Sequence, residues 1–569
     1  MTKQTQSSIP PKEQIEKLIK IYESAQFIKT EKLCRKLLKK YPNTAIIFSI
    51  LAASLVAQNK LKNALHTYNK IIQFNSKNAE AYYNRAIVYQ KLKQYQNAID
   101  SHSKAIKLQA HYPEAFNNRG YAYQHLNELE LALKDYTTAV ALSPNYAEAL
   151  FNQGVAFQML AQYKQAVKSY SSAIDHQPYY SEAFHNRGYA YYQLNELDKA
   201  LNDYNKAITI KPNYHEAFYN QGIALEDSGK IKDAIKSYKK AIEINEQDLE
   251  SCWNLSLLLL ITGDLKNGWI NYECGKYTKN KDRRSVEVPY TTWNGQNLLN
   301  KEILITAEQG IGDEIMFCSC LPDIIKQKPK RVIFECDSRI TKLINDSFKS
   351  IQTVYRKNRT KKEWEEAIGS VDYHLSSGSM PMFFRNSLEQ FPKYNSYLKS
   401  DKKLTNKWKD RFKQLNNKLN IGISWRGGLN DKNRSIELHQ WHQIFQYDAN
   451  FINLQYGDYQ DEINQLKEQY GVEIHHWSDT DPLSNLDNFA AQISALDLVI
   501  SIDNSTVHFS GALGVDTWVL LPLNANYRWM QELNQSPWYP SMQLFRQTKP
   551  NSWCNVFNRL SKTLQSIKQ

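Results

Sequence analysis

Long apolar runs are missing from this chain: the stretch at 255–261 falls far short of the ~18 residues that cross a bilayer, which excludes a membrane-spanning helix. The opening MTKQTQSSIPPKEQ has no basic region followed by an apolar one, so it does not read as a signal peptide, and a cytoplasmic location is expected. Cysteine is sparse, seven in all and scattered. Only Cys318 and Cys320 lie close together, in a C-x-C spacing that matches no zinc pattern, so free, mostly buried thiols and no metal site are expected. No G-x-x-x-x-G-K-[ST] occurs, and the loop AEQGIGDEI lacks the third glycine of a dinucleotide fingerprint, which weighs against a simple ATPase or dehydrogenase. Acidic residues are scarce at the start: residues 1–100 hold 6 Asp/Glu against 17 Lys/Arg, a net +11 of the chain's +13. Lys29, Lys32, Arg35, Lys36, Lys39 and Lys40 dominate that excess. Such a patch attracts an acidic protein, nucleic acid or a membrane surface. No aromatic or motif pattern of nucleic-acid recognition accompanies it, so a solvated helix face leads, no nucleic acid is expected, and peripheral membrane association stays open.

What is present is a repeat. The 569 residues exceed one core, and a prior of about 150 residues per domain suggests about three or four units. AYYNRA, AFNNRG, ALFNQG, AFHNRG and AFYNQG begin at Ala81, Ala115, Ala149, Ala183 and Ala217, 34 residues apart each time. Ala98, Ala132, Ala166, Ala200 and Ala234 recur at the same step, as do Ala105, Ala139, Ala173, Ala207 and Ala241, with Pro144, Pro178 and Pro212 at the joins. Small residues sit where two helices touch and proline ends a helix, so each unit reads as a helix pair. The spacing resembles tetratricopeptide repeats. Weaker copies extend to 47–80 and 13–46, with a last one from Ser251, as capping repeats require.

One position in the repeat carries a further reading. Asn84, Asn118, Asn152, Asn186, Asn220 and Asn254 form a ladder, one per 34 residues, on the first helix of each pair. The resemblance implies that this helix lines a concave groove, where an asparagine amide both donates to and accepts from a peptide backbone. The arrangement is similar to the repeats of the protein O-GlcNAc transferases. Local packing within the repeat explains the same asparagines equally well.

After residue 281 the period stops, and KDRRSVEVPYTTWNGQ reads as a linker. Strand signals follow at 303–306, 331–336, 351–355 and 371–375, with a glycine loop at 308–313 and a helix at 314–327. This is βαβ order and implies a parallel sheet. The pattern restarts at NIGISWRGG, with further strands at 451–454, 472–476 and 498–502, so two doubly wound halves with a ligand cleft between them are expected. Gly310 and Gly312 place Asp313 at the head of a helix beside that cleft, where it either caps the helix or takes a proton from a hydroxyl. In VISIDNSTVHFSGALG at 499–514, a strand runs into a polar turn and a small-residue helix. The helix start presents N–H groups and a positive dipole end to an anion, with Ser505, Thr506 and His508 as added donors; an ordinary capped helix fits as well.

Together LITAEQGIGDEIMF, NIGISWRGG with NRSIEL, LVISIDNSTVHFSGALGVDTWVLLP and SPWYPSMQLFRQ resemble the bacterial tetratricopeptide-repeat proteins with a C-terminal glycosyltransferase domain of the heptosyltransferase-like, GT-B type. The resemblance covers nearly all of 285–569 and implies an α-solenoid followed by two Rossmann-like halves. The expected domains are a disordered 1–12, a solenoid at 13–280, a linker at 281–300, and halves at 301–400 and 401–569. It further implies a metal-independent, inverting transferase that needs no cofactor and takes a nucleoside-diphosphate sugar as donor. Asp313 stands at the family's general base, and Asp503, Ser505, Thr506 and His508 at its diphosphate site. If the strands align as in a doubly wound sheet, Arg426 beside Gly427, and Arg434, add charge there; surface positions fit the two arginines equally well. Trp425 and Trp441 read as packing residues, and SPWYPSMQLFRQ as a brace for the final helix. The chain departs from the family pattern at Asn504, Val507, Phe509 and Ser510, and at Asn526 and Tyr527 before Arg528 and Trp529. The acceptor is expected to be a protein or glycan recruited by the repeats. The rival reading is a protein-interaction scaffold whose C-terminal domain keeps the fold without the chemistry; sugar, nucleotide base and oligomeric state stay open.

Overall fold

The structure, a computed structural model, describes residues 10–279, 283–427, 435–457, 459–477, 479–549 and 552–567. The chain divides into two compact units, Met1–Lys230 and Ile231–Gln569. Among the described residues no helix is long and apolar enough to cross a membrane.

The first unit is a solenoid of paired helices, from Lys12–Glu23 and Phe27–Lys40 to His215–Asp227. What closes each first helix is a residue in the left-handed region, at Ala25, Asn59, Lys93, Asn127, Ala161, Asn195 and Gly229, with φ between 55° and 72°. The next residue's N–H then reaches back five positions, as in Lys60 N to Leu55 O at 2.8 Å and Glu128 N to Tyr123 O at 3.0 Å. This is the αL helix stop, which Gly and Asn accept most readily. Where the helices touch, side chains vanish: a Cβ on Gly120, Gly154 or Gly188 would come 2.8, 2.6 or 2.9 Å from the rings of Tyr136, Tyr170 or Tyr204. The equivalent pair in the preceding repeat is Ala86 with His102, a smaller ring facing a larger residue. His102 is fully buried with no hydrogen-bond partner among the described residues for either ring nitrogen, and burial pushes its pKa down to about 3.

A polar staple repeats with the same period. Arg119 donates from Nε to Asp135 at 2.7 Å and from Nη1 to Ser103 at 3.0 Å; Arg187 does the same to Asp203 at 2.7 Å and Ser171 at 2.9 Å. In the intervening repeat Gln153 takes the arginine's place and Ser169 the aspartate's, 2.8 Å apart. Across these three repeats charged and neutral pairs alternate, while the repeat before them sets Arg85 Nε on Ser101 Oγ at 3.2 Å. Arg187→Gln strands the buried Asp203 carboxylate and is expected to cost about 3 kcal/mol. Adding Asp203→Ser, which copies the Gln153–Ser169 pair, is expected to recover most of that in urea melts of the full chain. A double variant no more stable than the single one would show that the pairing is not the source.

The second unit opens with the helices Ile231–Ile244, Leu249–Ile261 and Leu265–Tyr272 and a 3-10 turn Glu273–Lys276. Two all-parallel sheets follow. The strands are β1 (Thr291–Thr292), β2 (Glu302–Thr306), β3 (Arg331–Cys336), β4 (Ile351–Tyr355), β5 (Tyr373–Ser376), β6 (Leu419–Ser424), β7 (Ala449–Asn453), β8 (Ile474–His475), β9 (Leu498–Ile502), β10 (Thr517–Leu521) and β11 (Met542–Arg546). The first sheet runs β1-β5-β2-β3-β4 and the second β11-β10-β9-β6-β7-β8. The second order is that of a doubly wound sheet, and in such sheets ligands bind where the order reverses, here beyond the ends of β6 and β9. The corresponding point in the first sheet lies beyond β2 and β5. The expected helix at 314–327 is two short helices, Ile311–Phe317 and Leu321–Lys326, joined by a 3-10 turn, and β1, β10 and β11 add to the expected strands.

Residues 283–300, read as a linker, are built into this unit. β1 pairs with β5, Trp293 and Leu298 are buried, and Arg284 pairs with the buried Glu335. Arg283 is wholly buried: it donates from Nε to Glu308 Oε2 at 2.7 Å, from Nη1 to Tyr272 O at 3.0 Å and to Glu273 Oε1 at 2.7 Å, and from Nη2 to Ser379 at 3.1 Å. The expectation of free thiols throughout is corrected for one pair. Cys252 and Cys274 form a disulfide across 22 residues, brought together by the return of the chain from the helix Leu249–Ile261 to the turn after Tyr272. Cys34, Cys318, Cys320 and Cys336 are free and buried, and Cys554 is free and exposed.

Candidate functional site

Three segments meet beyond the C-terminal ends of the two sheets. The first is the loop after β2. Gln309 takes φ 50° and Gly310 caps the helix Ile311–Phe317, so Asp313 lies in that helix's first turn with its N–H on Gly310 O at 3.0 Å. The second is the helix Ser505–Leu513 after β9, capped by Asn504. The two helices pack directly together: a Cβ on Gly312 would sit 2.8 Å from His508 Cδ2, so only glycine permits the approach. The third is the 3-10 turn Tyr527–Trp529 after β10, with Met530 at φ 44°.

Their side chains form one cluster. Arg528 donates from Nε to Asp313 Oδ1 at 2.8 Å, and its Nη2 goes to the same oxygen. Burial alone would lower the arginine's proton affinity, but Asp313, with Tyr527 and Asp503 behind it, raises it. His508 Nδ1 lies 2.8 Å from Tyr539 Oη, and its ring stacks on Trp529 with centroids 5.7 Å apart. Tyr527 Oη meets Tyr272 Oη at 3.0 Å, and Tyr272 also donates to Gln309 Oε1 at 3.2 Å; burial pushes the Tyr527 phenol up to about 12. Beside Asp313, burial pushes the Glu314 carboxyl up to about 7, against the Asp337 N–H at 2.8 Å and Arg356 at 2.8 Å.

The expected donor-site residues divide. Asp503 is buried and acts on Arg528, Ser505 is half-buried, and His508 joins the cluster. Thr506 is fully buried, its Oγ1 without a partner among the described residues. Arg426 differs from expectation: its guanidinium pairs with Glu462, which also accepts the Trp425 indole N–H, so the side chain is drawn to the helix Gln460–Tyr470. Its backbone nevertheless stays at the site, since Arg426 O accepts from Asn504 Nδ2 at 3.2 Å. Gly427 N donates to Ser435 at 3.2 Å, and Arg434 lies outside the described residues. Asn504, a departure from the family pattern, is a tie between strands: Nδ2 donates to Ser424 Oγ at 2.7 Å while Oδ1 accepts from Thr506 N at 3.0 Å. Trp425 and Trp441 are fully buried. Sequence reasoning missed Arg528, Tyr539, Tyr272 and Gln309. SPWYPSMQLFRQ is more than a brace, because it supplies β11 and the tyrosine on His508. Among the described residues no group of His, Cys, Asp or Glu is placed to hold a metal ion.

In the ladder, Asn118 Nδ2 donates to Tyr83 Oη at 2.9 Å, Asn152 Nδ2 to Asn117 Oδ1 at 3.0 Å, and Asn220 Nδ2 meets His185 Nε2 at 2.8 Å, each reaching one repeat back. Asn254 Nδ2 donates to Tyr238 Oη at 3.4 Å, and Asn84 and Asn186 are half-buried at the same register. The ladder therefore stitches neighbouring repeats, and among the described residues these bonds use one N–H on each of Asn118, Asn152 and Asn220, leaving an amide oxygen and one N–H over.

The helical half is thus a tetratricopeptide array, a class of architecture that typically binds peptides or proteins. Models described as TPR repeat match residues 53–93 and 188–229, and models described as tetratricopeptide repeat match 79–112, 113–146, 148–178 and 215–248. Among curated proteins the chain is similar to Protein FlbA of Caulobacter vibrioides, 29% identical over 317 residues. That match covers 53% of this chain and 52% of FlbA, so the chain spans about half the length of its curated relative. Among solved structures it is similar to YrrB, described as a TPR protein with an unusual peptide-binding site, at 29% identity, covering 32% of this chain and 95% of that one with a TM-score of 0.29. It is also similar to MamA, at 27% identity, covering 29% and 96% with a TM-score of 0.28.

Proposed function

We propose that the second unit is a GT-B type glycosyltransferase and that the repeats recruit its protein or glycan acceptor. The observation that carries this reading is the packing of the helix Ile311–Phe317, which carries Asp313 beyond β2 of one sheet, against His508 of the helix Ser505–Leu513, beyond β9 of the other. A nucleoside diphosphate fits a helix start, where orphan N–H groups and the dipole favour negative charge. Ser505, Thr506 and His508 stand at that start as further donors. In the transfer, Asp313 takes the proton of an acceptor hydroxyl, the oxygen bonds to the anomeric carbon, and the bond from that carbon to the diphosphate breaks. Direct displacement inverts the anomeric centre, and the leaving nucleoside diphosphate needs its charge met by protein groups. The leftover amide groups of Asn118, Asn152 and Asn220 suit the backbone of an extended peptide.

The test is a panel of UDP-, GDP-, ADP- and CDP-linked sugars, read by thermal shift and by release of nucleoside diphosphate. Stabilisation by one donor at a concentration 100 times its Kd is expected to reach about 2.7 kcal/mol. A folded protein that neither binds nor turns over any of them would leave the scaffold reading, which the occupation of Asp313 by Arg528 favours.

A further inference from the structure

We propose that Arg528 is an anion-binding residue held in reserve by Asp313: the carboxylate occupies the guanidinium, and a diphosphate arriving at the start of the helix Ser505–Leu513 takes it over and releases Asp313. The identity of that diphosphate as part of a sugar nucleotide rests on the reading above; the exchange itself requires only the anion.

The geometry that points to this is the way the pair is mounted. Both Arg528 donors go to one oxygen, Oδ1, of a carboxylate that belongs to the opposite sheet's loop. A guanidinium has five N–H groups and matches phosphate as well as carboxylate. The two side chains keep 12% and 13% of their surface exposed, so a ligand reaches them. The backbone on either side is held: Tyr527 by Tyr272 Oη, Trp529 by stacking on His508, and the Trp529 and Met530 carbonyls by Arg546. Only the arginine side chain has to turn. His508 belongs to the helix whose first turn holds Thr506, and the buried Thr506 hydroxyl without a partner is an independent sign that a hydrogen-bonding ligand completes this corner. Asp503, in the turn before that helix, adds negative charge that favours the protonated Arg528.

If carboxylate and diphosphate compete for one guanidinium, removing the carboxylate's charge must tighten the anion. The probes are inorganic pyrophosphate and UDP, titrated calorimetrically into the full chain. Asp313→Asn is expected to bind pyrophosphate about tenfold tighter than the unchanged protein, Arg528→Met about tenfold weaker, and the double variant like Arg528→Met alone. Arg528→Lys, which keeps the charge, guards against a folding defect and is expected to stay within about threefold of the unchanged protein. Equal pyrophosphate affinity in Asp313→Asn and the unchanged protein, absence of binding to both, or tightening that persists in the double variant would overturn the exchange. Failure of the transferase reading shows differently, as the pyrophosphate pattern above with no sugar nucleotide turned over.

Discussion

On the proposed transferase reading, Asp313→Asn is expected to lower sugar transfer by about 10²–10⁴-fold, the usual contribution of a positioned general base, while donor binding survives. The amide keeps the shape of the carboxylate and can still accept from Arg528, so the contact between the helix Ile311–Phe317 and the turn Tyr527–Trp529 is preserved. What it cannot do is take a proton. Glu314→Gln is the companion variant, because Glu314 is the adjacent carboxyl and burial pushes it up to about 7. It is fully buried and turned to Asp337 N and Arg356, away from any acceptor, so its replacement is expected to leave turnover within a few-fold. Initial rates at saturating donor, compared across the two variants, decide the assignment. Turnover in Asp313→Asn close to that of the unchanged protein would remove Asp313 from the reaction.

The largest stability effect is expected at Arg283. Arg283→Met leaves Glu308, itself fully buried, and Glu273 without their shared cation, and breaking a buried pair from one side costs about 3–5 kcal/mol. The loss has a pH signature. Burial would raise the Glu273 carboxyl, but Arg283 and Lys276 outweigh it and hold it down to about 2, against an ordinary value of 4.5. A carboxyl depressed in the folded state stabilises the fold above its unfolded pKa and loses that contribution as the pH falls through its folded pKa. The Glu273 contribution is therefore full above about pH 4.5 and gone near pH 2. In Arg283→Met the part of this acid dependence that falls between pH 7 and pH 3.5 is expected to shrink by about 1 kcal/mol after allowance for partial solvent screening. Urea melts of the full chain at pH 7 and pH 3.5 measure both terms. Equal stability of the two proteins at pH 7 would show that the network is not a support of the second unit. Because Glu308 begins the loop that carries Asp313, the same variant is also a test of how firmly that loop is held.

Much of this was legible because it is local and periodic. The 34-residue step places alanines at helix contacts, and the left-handed stops, which only the structure revealed, fall at that step too, on Asn59, Lys93, Asn127, Ala161, Asn195 and Gly229. The βαβ alternation marks strands such as Leu498–Ile502, since an apolar run bounded by turn residues has few other readings. Asp313 and the turn at 503–506 were legible as helix starts after strands for the same reason. Arg528 was not: its partner is 215 residues away, and an arginine between two aromatics reads as well as surface as site. The disulfide, the Arg283 network and the tyrosines around His508 are likewise long-range, and so is the pairing of Arg426 with Glu462, on a helix 36 residues downstream.

By itself the sequence determined a tetratricopeptide array and a second half of alternating strands and helices, since helix contacts at period 34 and buried strands are set by residues near one another in the chain. Only the tertiary structure decided what Asp313 faces. The packing of the helix after β2 against the helix after β9 brings the two loops together, and which charges then pair follows from distance and burial at that contact, neither of which any local spacing encodes.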